Sequence, residues 1–278
     1  MTSISPLAGP VGTVVSLAGT GFTAGATDTI GWDGVPLTTT IIAAGGILAG
    51  AFTVPSTTAG VHVVSIIPPG PDTSTNTMNF TVAPSIVLSA TTVQVGNSVA
   101  INGLGFGANL SVIIYVDGVT NISTSTTGTG TFSASFTVPV GAGGTHTVTV
   151  TDSAANTTNT TYNISPAVSV TPASVAVGTQ FTITGSSFAA SSAVTIAIDG
   201  ANVTSTTTNT IGSFTVSLAA PPKPIGVHTI RAMDSLLSSA TATYMVVPSM
   251  TVTPSPFTSG SQITANGTGF AASSAVAV

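Results

Sequence analysis

Apolar and hydroxyl-bearing residues alternate in short stretches along the whole chain. In residues 145–150, threonine occupies every odd position, and His146, Val148 and Val150 occupy the even ones. Successive side chains of a β-strand point to opposite faces, so this stretch predicts a strand with one hydroxyl-rich face and one apolar face. The chain lacks the 3.6-residue hydrophobic period of amphipathic helices. The pattern therefore predicts an all-β protein.

Residues 85–166 give the clearest set of strands, separated by glycine, proline, asparagine and aspartate. The predicted strands are 85–90, 98–102, 110–116, 119–124, 131–138, 145–151 and 158–164. About seven short strands with this spacing are typical of an antiparallel β-sandwich. Asp117-Gly118 predicts a type I′ hairpin turn between the third and fourth of these strands. The same dipeptide recurs at Asp33-Gly34 and Asp199-Gly200.

A four-residue segment that ends in phenylalanine divides the chain into repeats. Its phenylalanines, spaced 84, 82 and 82 residues apart, are Phe22, Phe106, Phe188 and Phe270. This period exceeds the roughly 20–50 residues of a solenoid repeat and suits one small domain per repeat. Proline ends each repeat and no flexible linker follows it, so we expect a rod-like array. The predicted domains are residues 1–84, 85–166 and 167–248, with a partial fourth repeat at 249–278.

The partial fourth repeat, residues 249–278, is long enough for two strands and the start of a third. Half a sandwich leaves apolar faces and strand edges unpaired. Two explanations are open: the repeats continue in a longer chain, or another chain supplies the missing strands. We favour the first, because more sequence is missing than a single donated strand would provide.

Composition excludes several classes of partner. Only 3% of the residues are charged, with two basic and seven acidic residues, against about 25% in ordinary soluble domains. So few cations leave no electrostatic footprint for nucleic acid and no polybasic patch for anionic lipid. The longest apolar stretch, residues 41–52, is well short of the roughly 20 residues that cross a bilayer, so no membrane-spanning segment is predicted. No signal peptide is visible after Met1, and no cysteine is available for disulfides.

The three histidines, His62, His146 and His228, each lie 40 residues after a repeated phenylalanine. Each has the parity of the apolar residues on its strand. We therefore expect the imidazoles at the inner mouth of the sandwich, hydrogen-bonded to loop backbone. A metal site needs several converging ligands, and calcium needs clustered carboxylates. The aspartates of one repeat are far apart in sequence, so we predict no metal and no cofactor.

Catalysis is not predicted. No set of serine, histidine and acid recurs, and no paired carboxylates lie close together in sequence. Intramolecular Lys–Asn cross-links are not predicted either. The lysine that they need occurs once, at Lys223, and the other repeats have none.

Two kinds of surface feature are candidates for partner contacts. Trp32 occurs once and is a candidate for sugar stacking or a partner contact, with half-buried packing as the alternative. Asn121 and Asn202 are the best candidates for N-glycosylation, because both follow an Asp-Gly turn. The Asn-x-Ser/Thr sequons are at Asn79, Asn109, Asn121, Asn156, Asn159, Asn163, Asn202 and Asn266.

The opening of each repeat resembles a known family. Thr171-Pro172, Val177-Gly178 and the segment Phe181-Thr182-Ile183-Thr184-Gly185-Ser186-Ser187-Phe188 are similar to the start of IPT/TIG and related bacterial and archaeal Ig-like domains. The resemblance extends over essentially the whole chain and implies tandem Ig-like sandwiches. Such repeats are typical of large extracellular proteins, and the family implies no catalytic residues.

Together these features predict an extracellular or cell-surface structural repeat protein that forms or decorates a filament, sheath or stalk. Natural sheet edges are usually protected by charge, and this chain has almost none to use. The edges must then be covered by glycans, blunted by proline and glycine, or used in assembly. We favour assembly and expect self-association into a homopolymer, with glycans as further candidate partners. The alternative is an adhesin or carbohydrate-binding surface module. A structural fibre self-associates and ignores glycans, whereas an adhesin stays monomeric and binds through a few exposed residues.

Overall fold

A computed structural model describes residues 1–70 and 76–277 of the chain. Those residues form strands, turns and loops, and within them no helix is long and apolar enough to cross a membrane. The strands follow the sequence repeats closely: the first three repeats have eight strands each and the partial fourth has two. The all-β prediction is therefore confirmed.

The strand bounds are as follows. Repeat 1 contains β1 (Ser3–Ser5), β2 (Ala8–Gly9), β3 (Val14–Gly19), β4 (Thr27–Trp32), β5 (Val35–Ile41), β6 (Leu48–Thr53), β7 (Gly60–Ile67) and β8 (Asn76–Val82). Repeat 2 contains β9 (Ser85–Leu88), β10 (Thr92–Val93), β11 (Ser98–Leu104), β12 (Ser111–Val116), β13 (Val119–Ser125), β14 (Phe132–Thr137), β15 (Gly144–Asp152) and β16 (Thr157–Ile164). Repeat 3 contains β17 (Ala167–Thr171), β18 (Ser174–Ala176), β19 (Gln180–Ser186), β20 (Ala193–Ile198), β21 (Ala201–Thr207), β22 (Phe214–Ala219), β23 (Gly226–Asp234) and β24 (Ser239–Val247). The partial repeat contains β25 (Ser249–Thr253) and β26 (Thr264–Thr268).

Each full repeat has one three-stranded sheet and one five-stranded sheet, as an Ig-like sandwich requires. The three-stranded sheets have the orders β1-β3-β6, β14-β11-β9 and β17-β19-β22. The five-stranded sheets have the orders β2-β8-β7-β4-β5, β10-β16-β15-β12-β13 and β18-β24-β23-β20-β21. In the partial repeat, β25 and β26 pair in an antiparallel two-stranded sheet.

The eighth strand of each repeat was not predicted. β9 lies within the first predicted strand, residues 85–90, and β10 is an additional short strand that follows it. In each repeat this additional strand belongs to the five-stranded sheet and pairs parallel with the last strand of the repeat. Pro6 lies between β1 and β2, and Pro172 lies between β17 and β18. Proline cannot donate a ladder hydrogen bond, so the strand is interrupted at that point.

The chain divides into two compact units. The first comprises Met1–Thr91, Ser98–Phe136 and His146–Tyr162, and the second comprises Thr92–Asn97, Thr137–Thr145 and Asn163–Val278. The first unit contains all of repeat 1. The second contains all of repeat 3 and the partial repeat.

The core of each repeat comes from the apolar side of the alternating strands. In repeat 3, Ile183 of β19, Ile196 of β20 and Ile230 of β23 are completely buried in one cluster. Burying a side chain of this size contributes about 1.5–3 kcal/mol. In repeat 1 the cluster includes Ile30 and Val64 from β4 and β7. The short strands are therefore stable because the two sheets cover each other.

The repeated phenylalanine anchors the bend that follows the second long strand of a repeat. Phe106 and Phe188 are completely buried, and Phe22 is partly buried against the core of repeat 1. The amide of Phe188 donates a hydrogen bond to the carbonyl of Gly212 over 2.9 Å, and Gly212 has a φ of 73°. A Cβ at Gly212 would collide with the Phe188 carbonyl oxygen. The bend is therefore held by a glycine 24 residues further along the chain.

Candidate functional site

The Asp-Gly hairpin turns place one carboxylate at the same point in each of the three full repeats. The turns join β4 to β5, β12 to β13 and β20 to β21. The aspartates Asp33, Asp117 and Asp199 all have a φ of 49°. The following glycines, Gly34, Gly118 and Gly200, have φ values of 80°, 78° and 83°. Positive φ at both central residues defines a type I′ turn, so that prediction is confirmed.

Each turn aspartate bridges to the strand that carries the histidine. In repeat 1, Oδ2 of Asp33 lies 2.6 Å from Nδ1 of His62, and Oδ1 accepts a hydrogen bond of 2.9 Å from the amide of Val63. The corresponding groups in the other repeats are Asp117 with His146 and Thr147, and Asp199 with His228 and Thr229. The carboxylate therefore ties the hairpin to the neighbouring strand through both of its oxygens. We call this arrangement the Asp–His clamp.

The second ring nitrogen of the histidine faces backbone. Nε2 lies 2.9 Å from the carbonyl oxygen of Thr58 in the clamp of His62, and 2.9 Å from that of Pro224 in the clamp of His228. The prediction of a histidine bonded to loop backbone is confirmed at both positions. Carboxylate and carbonyl oxygens are acceptors, and a neutral imidazole has one N–H, so it donates to one of them at a time.

An aromatic ring packs beside each histidine. His62 stacks on Trp32 with ring centroids 4.8 Å apart. His146 and His228 lie 5.6 Å from Tyr162 and Tyr244, respectively. The clamp is therefore a packed structural element that joins turn, strand and core.

The aspartate partner of the histidine was missed in the sequence. A usable signal was present, because Asp33 and His62 are 29 residues apart, and the same separation recurs in the clamps of His146 and His228. The same separation in all three repeats indicates that the aspartate and the histidine are in contact in each of them.

Repeat 3 adds a cation to the clamp. Nζ of Lys223 lies 3.0 Å from Oδ2 of Asp199. Burial opposes ionisation of Asp199, but hydrogen bonds from His228, the Thr229 amide and Lys223 outweigh it and hold its pKa at about 2. A depressed pKa means that the clamp stabilises the fold fully above the ordinary pKa of 3.8 and loses this effect as the pH falls to about 2.

A second, buried aspartate fastens the bend in repeats 2 and 3. Oδ2 of Asp152 accepts hydrogen bonds of 2.8 Å from the Gly107 amide and from the side chain of Asn156. Burial acts to raise the pKa of Asp152, but these bonds and those from the Ala154 and Asn156 amides lower it overall. In repeat 3, Oδ2 of Asp234 accepts the corresponding hydrogen bond from the Ala189 amide. The sequence pattern did not reveal this contact, because repeat 1 lacks the aspartate.

Metal ligands do not converge in the described residues 1–70 and 76–277. Within them, no group of three or more histidine, cysteine, aspartate or glutamate side chains is placed to hold an ion. Each Asp–His clamp brings together one carboxylate and one imidazole.

Trp32 lies inside the sandwich, and the predicted surface contact at this residue needs correction. It is 5% exposed and packs against Phe52, Phe80 and His62. Trp32 is the last residue of β4, whose alternate side chains enter the core, so the ring fills the space between the sheets. The ring therefore has no face free for a sugar or a partner.

The sequon asparagines differ in their surroundings. Asn156 is half-buried, and its side-chain amide is bonded to Asp152. The side chain of Asn163 accepts a hydrogen bond of 2.9 Å from Thr145. The exposed asparagines are Asn79, Asn109, Asn121, Asn159, Asn163, Asn202 and Asn266.

The fold and the repeated clamp define a tandem array of Ig-like β-sandwiches. The sequence profile of the IPT/TIG domain matches residues 1–82 and 167–244, which is more than half of the chain. The chain therefore belongs to the IPT/TIG domain family, as its repeated openings predicted.

Solved structures that match the chain include a bacterial adhesin and a protein of a glucan utilization locus. The adhesin InvE of Yersinia pseudotuberculosis has 16% identity and a TM-score of 0.31, over 59% of this chain and 58% of that one. SGBP-B of the Bacteroides ovatus mixed-linkage glucan utilization locus, in complex with a mixed-linkage heptasaccharide, has 14% identity and a TM-score of 0.28, over 84% and 64%. The chain thus spans less than two thirds of the length of either protein. At these TM-scores the matches carry no argument about function, and comparison with curated proteins gave no match.

Proposed function

We propose that the chain is an extracellular structural repeat protein that forms or decorates a cell-surface filament, sheath or stalk. The observation that carries the proposal is the way in which successive repeats are joined. The same backbone position of one repeat bonds to the phenylalanine bend of the next, without an intervening linker. Arrays joined in this way are suited to bear load and to set spacing.

The joining contact recurs at two junctions. The amide of Ala59 in repeat 1 donates to the carbonyl of Phe106 in repeat 2 over 3.1 Å. The amide of Gly143 in repeat 2 donates to the carbonyl of Phe188 in repeat 3 over 2.9 Å. Ala59 and Gly143 each lie 37 residues after the phenylalanine of their own repeat. The contact is therefore built into the repeat and joins backbone groups of neighbouring repeats.

The composition of the surface supports assembly. Self-repulsion is weak because only 3% of the residues are charged. Exposed aliphatic side chains such as Val14, Val61 and Val227 lie on β3, β7 and β23, away from the edge strands β5, β13 and β21. They are available for contacts with further copies of the chain.

An adhesin or carbohydrate-binding module was the alternative prediction. Its named contact residue, Trp32, is buried in repeat 1. An adhesin function would therefore need a binding surface other than Trp32.

Electron microscopy of the purified native protein, without added ligand, tests the proposal. We expect continuous filaments or sheets with an axial spacing that is a multiple of one repeat. Isolated monomers that bind defined sugars on a glycan array would contradict it and support the adhesin alternative.

A further inference from the structure

The five-stranded sheets end in edge strands that carry no charged residue. These strands are β5, β13 and β21, with the sequences VPLTTTI, VTNISTS and ANVTSTT, and most of their residues are exposed. Unprotected edges of this length are templates for pairing with another strand, and natural proteins commonly block them with lysine or proline. Lysine is absent from all three, so some other feature must protect them.

Proline protects the edge in repeat 1. Pro36 lies opposite Gly31 of β4, in the third position after the turn aspartate. It has no amide hydrogen to offer a further strand. The other two repeats have no proline on this edge.

A sequon asparagine takes the place of Pro36 in repeat 3, and in repeat 2 it follows Thr120, the residue in register with Pro36. Asn202 lies opposite Ala197 of β20, the residue that corresponds to Gly31, so it occupies the register of Pro36. Asn121 is one residue further along and is the extra residue of the bulge in β13.

Both asparagines are open to modification. Their side chains are exposed, and neither makes a hydrogen bond within the part of the chain that the structure describes. Asn156 is the contrasting case, since its amide is bonded to the buried Asp152.

We propose that Asn121 and Asn202 are N-glycosylated and that their glycans block edge-to-edge pairing at β13 and β21. An N-linked glycan is bulky and hydrophilic, so it keeps another strand away from the edge without any charge. The inference rests on the proposed extracellular location. Self-association would then use surfaces other than these two edges.

Peptide mapping of the native protein tests the modification directly. A protease that cleaves before aspartate releases residues 117–151 and 199–233, each with a single sequon, at Asn121 and Asn202 respectively. The peptide 33–71 contains no asparagine and is the internal control. We expect glycan mass on both test peptides and none on the control. Bare masses for both test peptides would overturn the inference.

This result is separable from the test of the proposed function. Filaments whose two test peptides are unmodified would leave the structural function standing and overturn the glycan inference. If both test peptides are modified but the protein stays monomeric, the glycan inference stands and the proposed structural function is overturned.

Matched variants made in the native host test the protective role. Ser123→Ala with Thr204→Ala removes both sequons and leaves the asparagines in place, whereas Ser125→Ala with Thr206→Ala changes the same strands outside any sequon. We expect the first pair to lose both glycans and to give a several-fold larger sedimenting fraction than the second pair. Equal sedimentation of the two pairs would overturn the protective role.

Discussion

At the scale of single residues, Asp28 departs from the pattern of its own repeat. It is the second residue of β4, and the second residues of β12 and β20 are Val112 and Val194. All three side chains are buried, and neither carboxylate oxygen of Asp28 has a hydrogen-bond partner in the described part of the chain. Burial raises the pKa of Asp28 above its ordinary value of 3.8.

We predict that Asp28→Val stabilises the protein at pH 7. A buried, unpartnered polar group costs about 1–3 kcal/mol, and valine fills the same position in the sister repeats. The measurement is the free energy of unfolding by denaturant titration. Val112→Asp is the matched control and should destabilise repeat 2. A loss of stability in Asp28→Val would show that the carboxylate has a favourable role.

The advantage of Asp28→Val should shrink in acid. In the wild type, the Asp28 carboxyl group binds its proton more tightly in the folded state than in the unfolded state. Asp28 therefore destabilises the folded state most at pH values above its raised pKa. The part of this destabilisation that comes from the charge decreases as the pH falls through that pKa and is gone below the ordinary value of 3.8, where only the cost of a buried, unpartnered neutral carboxyl group remains. A difference between variant and wild type that does not change with pH would contradict this account.

At the scale of elements, the phenylalanine bend depends on a glycine that is distant in sequence. Gly130 and Gly212 each lie 24 residues after the phenylalanine whose amide they accept, with φ values of 70° and 73°. A Cβ at either glycine would collide with the carbonyl of that phenylalanine. Two requirements, positive φ and close backbone approach, therefore coincide at one position.

We predict that Gly212→Ala destabilises repeat 3 more than Gly178→Ala. Both glycines have positive φ, which costs about 1–3 kcal/mol for another residue. Around Gly178, with a φ of 83°, a Cβ meets nothing within 4 Å, so only backbone strain applies. The difference in unfolding free energy between the two variants measures the collision with the Phe188 carbonyl. Equal values would show that the bend relaxes to accommodate the methyl group.

At the scale of the whole molecule, the junctions decide whether neighbouring repeats unfold together. In a repeat array, stability is approximately the sum of the intrinsic stabilities of the repeats and of the interfaces between neighbours. The Gly143 junction is close-packed, because a Cβ there would collide with the carbonyl oxygen of Ser187.

We predict that Gly143→Ala weakens the coupling of repeats 2 and 3. Scanning calorimetry should show a broader or split transition with a lower first melting temperature. Gly128→Ala is the control, since a Cβ at Gly128 meets only the side chain of Asn109, 4.0 Å away. A single, unchanged transition in Gly143→Ala would mean that the junction contributes little to stability.

The sequence by itself determined the repeats, the strands and the hairpin turns of this protein. These features depend on neighbours along the chain: alternation sets the faces of a strand, and an Asp-Gly pair tolerates the positive φ values that a tight hairpin turn requires. They were enough to predict tandem β-sandwiches and a family resemblance that the profile match supports.

Only the tertiary structure decided which distant residues meet. Asp33 and His62 come together because two strands of one sheet are neighbours. Trp32 is buried because the opposite sheet covers it, and Asn156 differs from Asn121 because Asp152 faces it. Composition and periodicity describe each strand alone, whereas burial and pairing depend on what the rest of the chain places beside it.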